Sequence, residues 1–540
     1  MKFIKTILLL CVCVILLWGC SEKENQRIPN CLYVRLKKSP TTLDPALIVD
    51  LDGARIAAKL YNGLVGFDEN LSPVPDIAES WTMSSDGLTY NFKLKKGVLF
   101  FNGREVTASD FVYSFERVLL PKTKSPRTWV FSRIKGSRQF REGKTKNVTG
   151  IRVKGPYELE VTLDEPFAPF VSMLGLTTAY VVPREQVERW GADYAFHGNG
   201  TGPFILEQWR HNQFLILKAN KNYFGTKPLL SGIYYKIVPE DFTALVEFEK
   251  GDFDLLPEIM ASEYGRYASD PEWQPYIKMV PCLNTYYLGL NCQKPPFNDL
   301  RVRRALNFAI DREKMLSTIM EGRGTVARGP LPPLLRSGPP PKGYPYSPAR
   351  ARQLLKEAGY PQGFAMTIYQ TADVENLDIC QVVQGYLRDV GIDASIVQLE
   401  WSTFLDAVAK GEAQSFWLSW WADYPDEENF LFPLFHSGNW GPGGNRCRFK
   451  NKRVDELISR AVKIMDDDER RTCYREIEKL ITEEAPWVFF WHKSACSIHQ
   501  PWLKGYSVPP LAVMEKGNTM YLSKTARPDI IRTRGAVSTE

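Results

Sequence analysis

The sequence predicts a mixed α/β protein built from two or three domains. Three observations predict it. At 540 residues the chain is too long for one core on the usual ~150-residue prior. Strand-type and helix-type patterns interleave along it without an internal repeat. An apolar content of 44%, with 12% aromatic, is ample for closely packed interiors.

The first element is a targeting signal. Lys2 and Lys5 precede an unbroken apolar run from Ile7 to Trp18. That run is too short for a membrane span of roughly 20 residues but suits a secretory signal of about 7–15. It ends at Leu17-Trp18-Gly19-Cys20 and is followed by polar Ser21 to Gln26. This arrangement resembles a bacterial lipobox, in which the cysteine is acylated and becomes the new N-terminus. We expect residues 1–20 to be a lipoprotein signal peptide, Cys20 to carry the lipid, and the mature protein to be soluble and tethered. The net charge of +6 falls to +4 when Lys2 and Lys5 leave. That is too small and dispersed to indicate nucleic acid.

The strand candidates come next. Tyr157, Leu159, Val161 and Leu163 alternate with other residues as in a half-buried strand. Phe214 to Leu217 and Ile233 to Val238 are further candidates. Asp299 is placed to cap a helix running from Leu300 to Met320, with Val302, Ala305, Leu306 and Ala309 on one face. Ser347-Pro348 opens a second helix that Gly359 closes. Val454, Leu457, Ile458 and Ala461 define a third, and Arg470 to Ile481 a fourth. Gly329 to Pro348, dense in Pro and Gly yet holding Leu331, Leu334, Leu335, Tyr344 and Tyr346, reads as an ordered surface loop.

Several chemistries find no support. Seven cysteines remain after Cys11, Cys13 and Cys20, none in a C-x-x-C pair, so zinc and thioredoxin-type redox chemistry are not indicated. Seven is odd, so at least one thiol is expected to be free, and the pairing of the rest is open. The five histidines are scattered, and no H-E-x-x-H or G-x-S-x-G occurs. Gly441 to Asn445 is glycine-rich but lacks the Lys-Ser/Thr of a phosphate loop and reads as a turn. Asp466 to Glu469 reads as charge complementing a helix dipole. No cofactor or metal is called for.

The ordered blocks of the mature chain resemble the oligopeptide- and dipeptide-binding extracellular proteins of ABC importers. They are Tyr61-Asn62-Gly63-Leu64-Val65, Pro75 to Trp81, Asp86 to Val98 with Phe101-Asn102-Gly103 and Val106 to Phe111, and Gly200-Thr201-Gly202-Pro203-Phe204. Phe297 to Ala305, Glu357-Ala358-Gly359-Tyr360, Glu400 to Leu405 and Trp421-Ala422-Asp423-Tyr424-Pro425-Asp426 follow. The resemblance implies a two-lobed periplasmic-binding-protein fold, α/β with mixed sheets and an extra inserted domain. It implies lobe I from residues 21–64, 179–286 and 494–540, an inserted domain at 65–178, and lobe II at 287–493. The crossings would fall near Tyr286-Tyr287 and Trp491-His492.

It further implies a monomeric receptor, not an enzyme, that passes short peptides to ABC permease subunits. Asp423 would accept the peptide's ammonium, an interaction every free peptide supplies. Ser419, Trp420 and Trp421 would pair with the peptide backbone as an added strand, giving affinity without regard to side chains. Trp401, Trp420, Trp421 and Tyr424 would wall its side-chain pockets. Where some relatives carry a basic residue for the peptide carboxylate, this chain has Val408, and Lys410 lies on another helical face. The carboxylate anchor is therefore elsewhere or absent. Another amine-bearing solute such as a murein peptide, an exported peptidase or amidase, and a surface adhesin stay open as alternatives.

Overall fold

The computed structural model describes residues 27–441 and 444–523. Cys20 and its signal lie outside them, as do Pro442 and Gly443 of the glycine-rich turn. No helix among the described residues is long and apolar enough to cross a membrane.

A mixed sheet of 12 strands forms the frame. Its spatial order is Ile392–Leu399, Phe364–Thr371, Ser415–Trp421, Asn284–Leu290, Trp487–His499, Leu255–Leu256, Cys31–Leu36, Gly232–Ile237, Phe214–Ala219 and Phe204–Arg210. The first three run parallel to one another, and both flanks of Asn284–Leu290 are antiparallel. Trp487–His499 is the strand that joins the two halves. Its start pairs with Asn284–Leu290, while its end pairs with Ile277–Pro281 and Leu255–Leu256. The register slips within the first of these ladders, where Tyr286 faces Trp491 but Tyr287 faces Phe489.

The buried side chains divide accordingly. One cluster is drawn from residues 32 to 61 with 180 to 255 and Leu503 and Met520, and a smaller one lies around Phe248 and Trp273. Two clusters lie within residues 287–491. A fifth fills the segment from Ala46 to Val181, around a four-stranded antiparallel sheet, and takes in Tyr424 and Val462. The residues between 46 and 181 that form this cluster thus pack together and also touch the second half.

Local signals set most helix starts. Asp50 caps Leu51–Leu60, accepting from the Gly53 amide, and Glu400 caps Trp401–Lys410, accepting from Ser402 and Thr403. Ser347 caps Pro348–Glu357, and Gly359 sits beyond it at φ +91°, a conformation glycine adopts freely. Asp466 caps Asp467–Glu484, longer at both ends than the expected Arg470 to Ile481.

One expected helix is two. Leu300–Ala309, capped by Asp299, stops at Ile310, and Arg312–Thr318 begins under a second cap from Asp311. Arg312 is buried and donates to the Phe489 and Tyr344 carbonyls, which turns the chain at this point. The Gly329–Pro348 loop is held down by Tyr344, whose hydroxyl donates to the Thr482 carbonyl at 2.8 Å, and by Arg336 on Glu478 at 3.1 Å. Leu331 is buried there, whereas Leu334 and Tyr346 stay exposed. Among the described residues Cys282, Cys292, Cys380, Cys447, Cys473 and Cys496 are free thiols.

Candidate ligand-binding site

A cavity of about 580 Å³ lies where the two halves and the 65–178 segment meet. That is within the usual range for a small-ligand site. The first half contributes Val34, Asp50 and Arg55, the inserted segment Arg127 and Thr177, and the second half Trp421, Ala422 and Asp423. Ser494 to Cys496 of the joining strand and Val508 to Val513 near the chain's end complete the wall.

The strand Ser415–Trp421 delivers Asp423 to this wall. It ladders to Asn284–Leu290 along its whole length, from Ser415 opposite Leu290 to Trp421 opposite Asn284. On its other edge, Phe364–Thr371 pairs only at Ser415 and Phe416. The edge from Trp417 to Trp421 therefore has no strand beside it among the described residues. The Ala422 amide then bonds to the Leu283 carbonyl and the Asp423 amide to Asn429 Oδ1, both at 2.8 Å, which fixes the turn after the strand.

Asp423 Oδ1 accepts from Arg127 Nη1 at 2.7 Å, and Arg127 Nε donates to the Ile48 carbonyl at 3.2 Å. This ion pair bridges the inserted segment and the second half across the cavity. Both side chains keep solvent contact, with exposures of 31% and 22%. The other charges on the wall are Asp50, Arg55, Lys59, Glu258, Arg323, Lys493 and Glu515. Lys59 is fully buried, and its ammonium donates to the Arg55 and Glu515 carbonyls and pairs with the Glu515 carboxylate. Burial lowers its pKa, and Glu515 opposes that shift.

The aromatic residues expected at the site separate. Trp421 lines the cavity and is 47% exposed. Trp420 turns its indole to the Asn429 carbonyl at 2.9 Å and packs against the second half's core. Ser419 lies opposite Tyr286, itself on the cavity wall. Trp401 stands exposed at the start of its helix, stacked 6.1 Å from Phe404 and away from the cavity-lining residues. Tyr424 is buried, its hydroxyl donating to Glu428 and its ring 5.9 Å from Trp129 of the inserted segment. Val408 is buried in the second half, and Lys410 is paired with Asp406 on the surface.

Beneath Asp423 lies a carboxylate cluster with a pH signature. Burial pushes Glu428 up to about 7 and Glu427 to about 8, and the charge of Asp426 adds to both shifts. Asp426 itself is paired with Arg470 at 2.7 Å. The folded state therefore holds protons that the unfolded chain releases near pH 4.5. Stability from these groups is fully present below that value and declines as pH rises toward 8. Replacing Glu428 with Gln should remove part of the decline. Urea midpoints of the two proteins should converge at pH 5, with Glu428→Gln the more stable at pH 8.

The sequence pointed to Asp423 and Trp421, which line the cavity, and not to Arg127, Arg323 or Glu258, which line it as well. No local pattern marks them, since each reaches the cavity only through the long-range fold.

Comparisons with known proteins bear on the family and the fold. Residues 72–442 match the family described as "Bacterial extracellular solute-binding proteins, family 5 Middle". The chain is 29% identical over 478 residues to the glutathione-binding protein GsiB of Salmonella paratyphi A, covering 87% of this chain and 90% of that one. It is 29% identical over 496 residues to heme-binding protein A of Haemophilus influenzae, covering 88% and 89%. Among solved structures it resembles the ABC transporter-associated periplasmic binding protein DppA from Helicobacter pylori in complex with peptide STSA. The TM-score is 0.75 at 28% identity, covering 92% of this chain and 98% of that one. The DppA neighbour is a periplasmic binding protein associated with an ABC transporter, and its two-lobed fold is the one described above. With a matched segment spanning more than half its length, the chain belongs to the bacterial extracellular solute-binding proteins, family 5.

Proposed function

We propose that this protein captures short peptides, or peptide-like solutes with a free amine, and hands them to an ABC permease. The observation that carries the reading is the open edge of Ser415–Trp421 leading into Asp423 on the cavity wall. An added peptide strand would satisfy the backbone of Ser419 to Trp421, and its ammonium would meet Asp423. The peptide-bound DppA neighbour and the glutathione-binding relative support this, since STSA is a peptide and glutathione is a tripeptide with a free amine. Trp421 would wall a side-chain pocket, while Trp401, Trp420 and Tyr424 would act, if at all, from outside the cavity or beneath it. The lipid at Cys20 would keep the receptor beside its permease as a monomer.

The lobes would comprise 21–64 with 179–286 and 494–540, and 287–493, with 65–178 inserted. The slipped register at Tyr286-Tyr287, opposite Phe489 to Trp491, is a natural hinge, because few bonds need to change there. After unfolding and refolding to strip endogenous solute, a tetrapeptide pool should lower the radius of gyration and be recovered intact. Unchanged scattering would sink the inter-lobe site, and fragmented peptide would favour the peptidase alternative.

A further inference from the structure

The modest net charge of the chain conceals one strongly basic stretch. From Arg117 to Lys154 the sequence holds 12 Lys and Arg and a single acid, Glu142. That excess is larger than the +6 of the whole chain, so the remaining residues are net acidic. Such an asymmetry points to an anionic partner.

The fold gathers part of this stretch on the surface of the inserted segment. A surface pocket of about 470 Å³ brings Lys124, from the turn after helix Ala108–Leu119, together with Arg138 and Arg141 of the helix Ser137–Arg141. Buried Leu119 and half-buried Leu120 give it an apolar lining. Glu142 is the one acid among its lining residues, and it pairs with Arg138 at 3.0 Å and with Lys144 at 2.7 Å. Four exposed cations thus share one carboxylate. Lys124 and Arg141 pair with no carboxylate among the described residues. Neither do Lys122 and Lys146, exposed two positions from Lys124 and Lys144.

Charge at a helix end is the plainer account of Arg138 and Arg141, which stand in the last turn of their helix. It does not reach Lys124, which a separate turn holds at φ +54° with its amide on the Pro121 carbonyl. Nor does it explain the shortage of carboxylates here. Exposed arginines of the second half have them, as Arg453 has Glu476 and Arg460 has Glu469.

The pocket's position selects the partner. Ser125 and Thr128 line it, and between them in the chain Arg127 reaches the wall of the ligand cavity. A receptor that hands its solute to a membrane-embedded permease turns this cavity toward the bilayer, and a surface beside it then meets the lipid around the permease. Long, exposed side chains on short turns suit a laterally mobile layer of charge better than the fixed carboxylates of one protein.

We infer that this basic surface of the inserted segment docks on anionic phospholipid headgroups. The orientation rests on the delivery reading, whereas the contact itself is independent of any acyl chain at Cys20. Each cation held at such a surface strengthens binding about fivefold. Four cations and one carboxylate therefore predict a preference of about 100-fold over neutral lipid at low salt.

Sedimentation with vesicles tests this, using the mature chain with Cys20→Ser so that no acyl chain contributes. Phosphatidylglycerol vesicles should carry the protein down at low salt, phosphatidylcholine vesicles should not, and high salt should release it. Lys124→Gln combined with Arg141→Gln should weaken that binding about 10- to 30-fold. Lys356→Gln combined with Lys450→Gln removes the same charge from exposed positions of the second half and should change little. Thermal melting checks each fold, and the wild-type comparison of lipids stands even if a variant fails it. Calorimetry with a tetrapeptide pool should find the Lys124/Arg141 variant at the wild-type affinity. Equal sedimentation with both lipids, none with phosphatidylglycerol, or wild-type binding by the Lys124/Arg141 variant overturns the membrane contact and leaves the peptide reading intact. Failure of wild type to bind the peptide pool counts against the peptide reading and not against the vesicle result.

Discussion

Replacing Asp423 with Asn should weaken peptide binding by a factor of a few hundred to a few thousand. In the closed cleft the ligand's ammonium would be buried against this carboxylate. Losing one partner of a buried pair costs about 3–5 kcal/mol, because the other charge is left uncompensated. Asn keeps the shape and removes only the charge. N-acetylating the peptide removes the ammonium from the other side and should weaken wild-type binding comparably. In a cycle of both changes the losses should overlap, as they do when two groups act on each other. Arg127 enters as a competitor, since it already occupies Asp423 Oδ1. Arg127→Met should therefore leave the amine preference in place, and calorimetry on these combinations separates the two roles.

Replacing Asp44 with Ala should destabilise the fold by about 3–5 kcal/mol. Asp44 is 2% exposed and meets Arg117, itself 9% exposed, through both carboxylate oxygens, with Arg117 Nη1 to Oδ1 at 2.7 Å. The pair ties the start of the chain to the helix Ala108–Leu119 of the inserted segment. Removing the carboxylate leaves a guanidinium buried without its counter-charge. A companion Arg117→Met, which removes the charge and keeps the bulk, should recover much of the loss in Asp44→Ala. Urea unfolding of the two single variants and the double one reads this directly.

The sequence made those parts of the fold legible that depend on neighbours in the chain. Asp299 and Ser347 read as helix starts because a carboxylate or hydroxyl there has only nearby amides to satisfy, whereas the acidic run at Asp466 read only as dipole charge and its cap emerged from the structure. The alternation around Leu159 and Val161 read as a strand because one face is buried. The single helix expected from Leu300 to Met320 breaks at Ile310. A local cap at Asp311 marks it, and Arg312 then reaches the Phe489 carbonyl, 177 positions away. The site divides in the same way. The strand into Asp423 was visible as a run of aromatic residues, and the family likeness gave the carboxylate a role. Its partner Arg127 lies 296 positions away. Trp420 and Tyr424 illustrate the limit of composition. An aromatic next to a binding residue can face the core, as the Trp420 bond to Asn429 and the Tyr424 bond to Glu428 show.

The proposal that this cleft carries peptide-like solutes is tested most directly by native mass spectrometry of the mature protein as it comes from cells. The expected spectrum shows a fraction of molecules carrying additional mass that gentle activation releases. Fragmentation of the released species should identify intact short peptides with free amines, and Asp423→Asn prepared in parallel should be largely empty. A released solute without an amine, or the same occupancy in Asp423→Asn, would contradict the account.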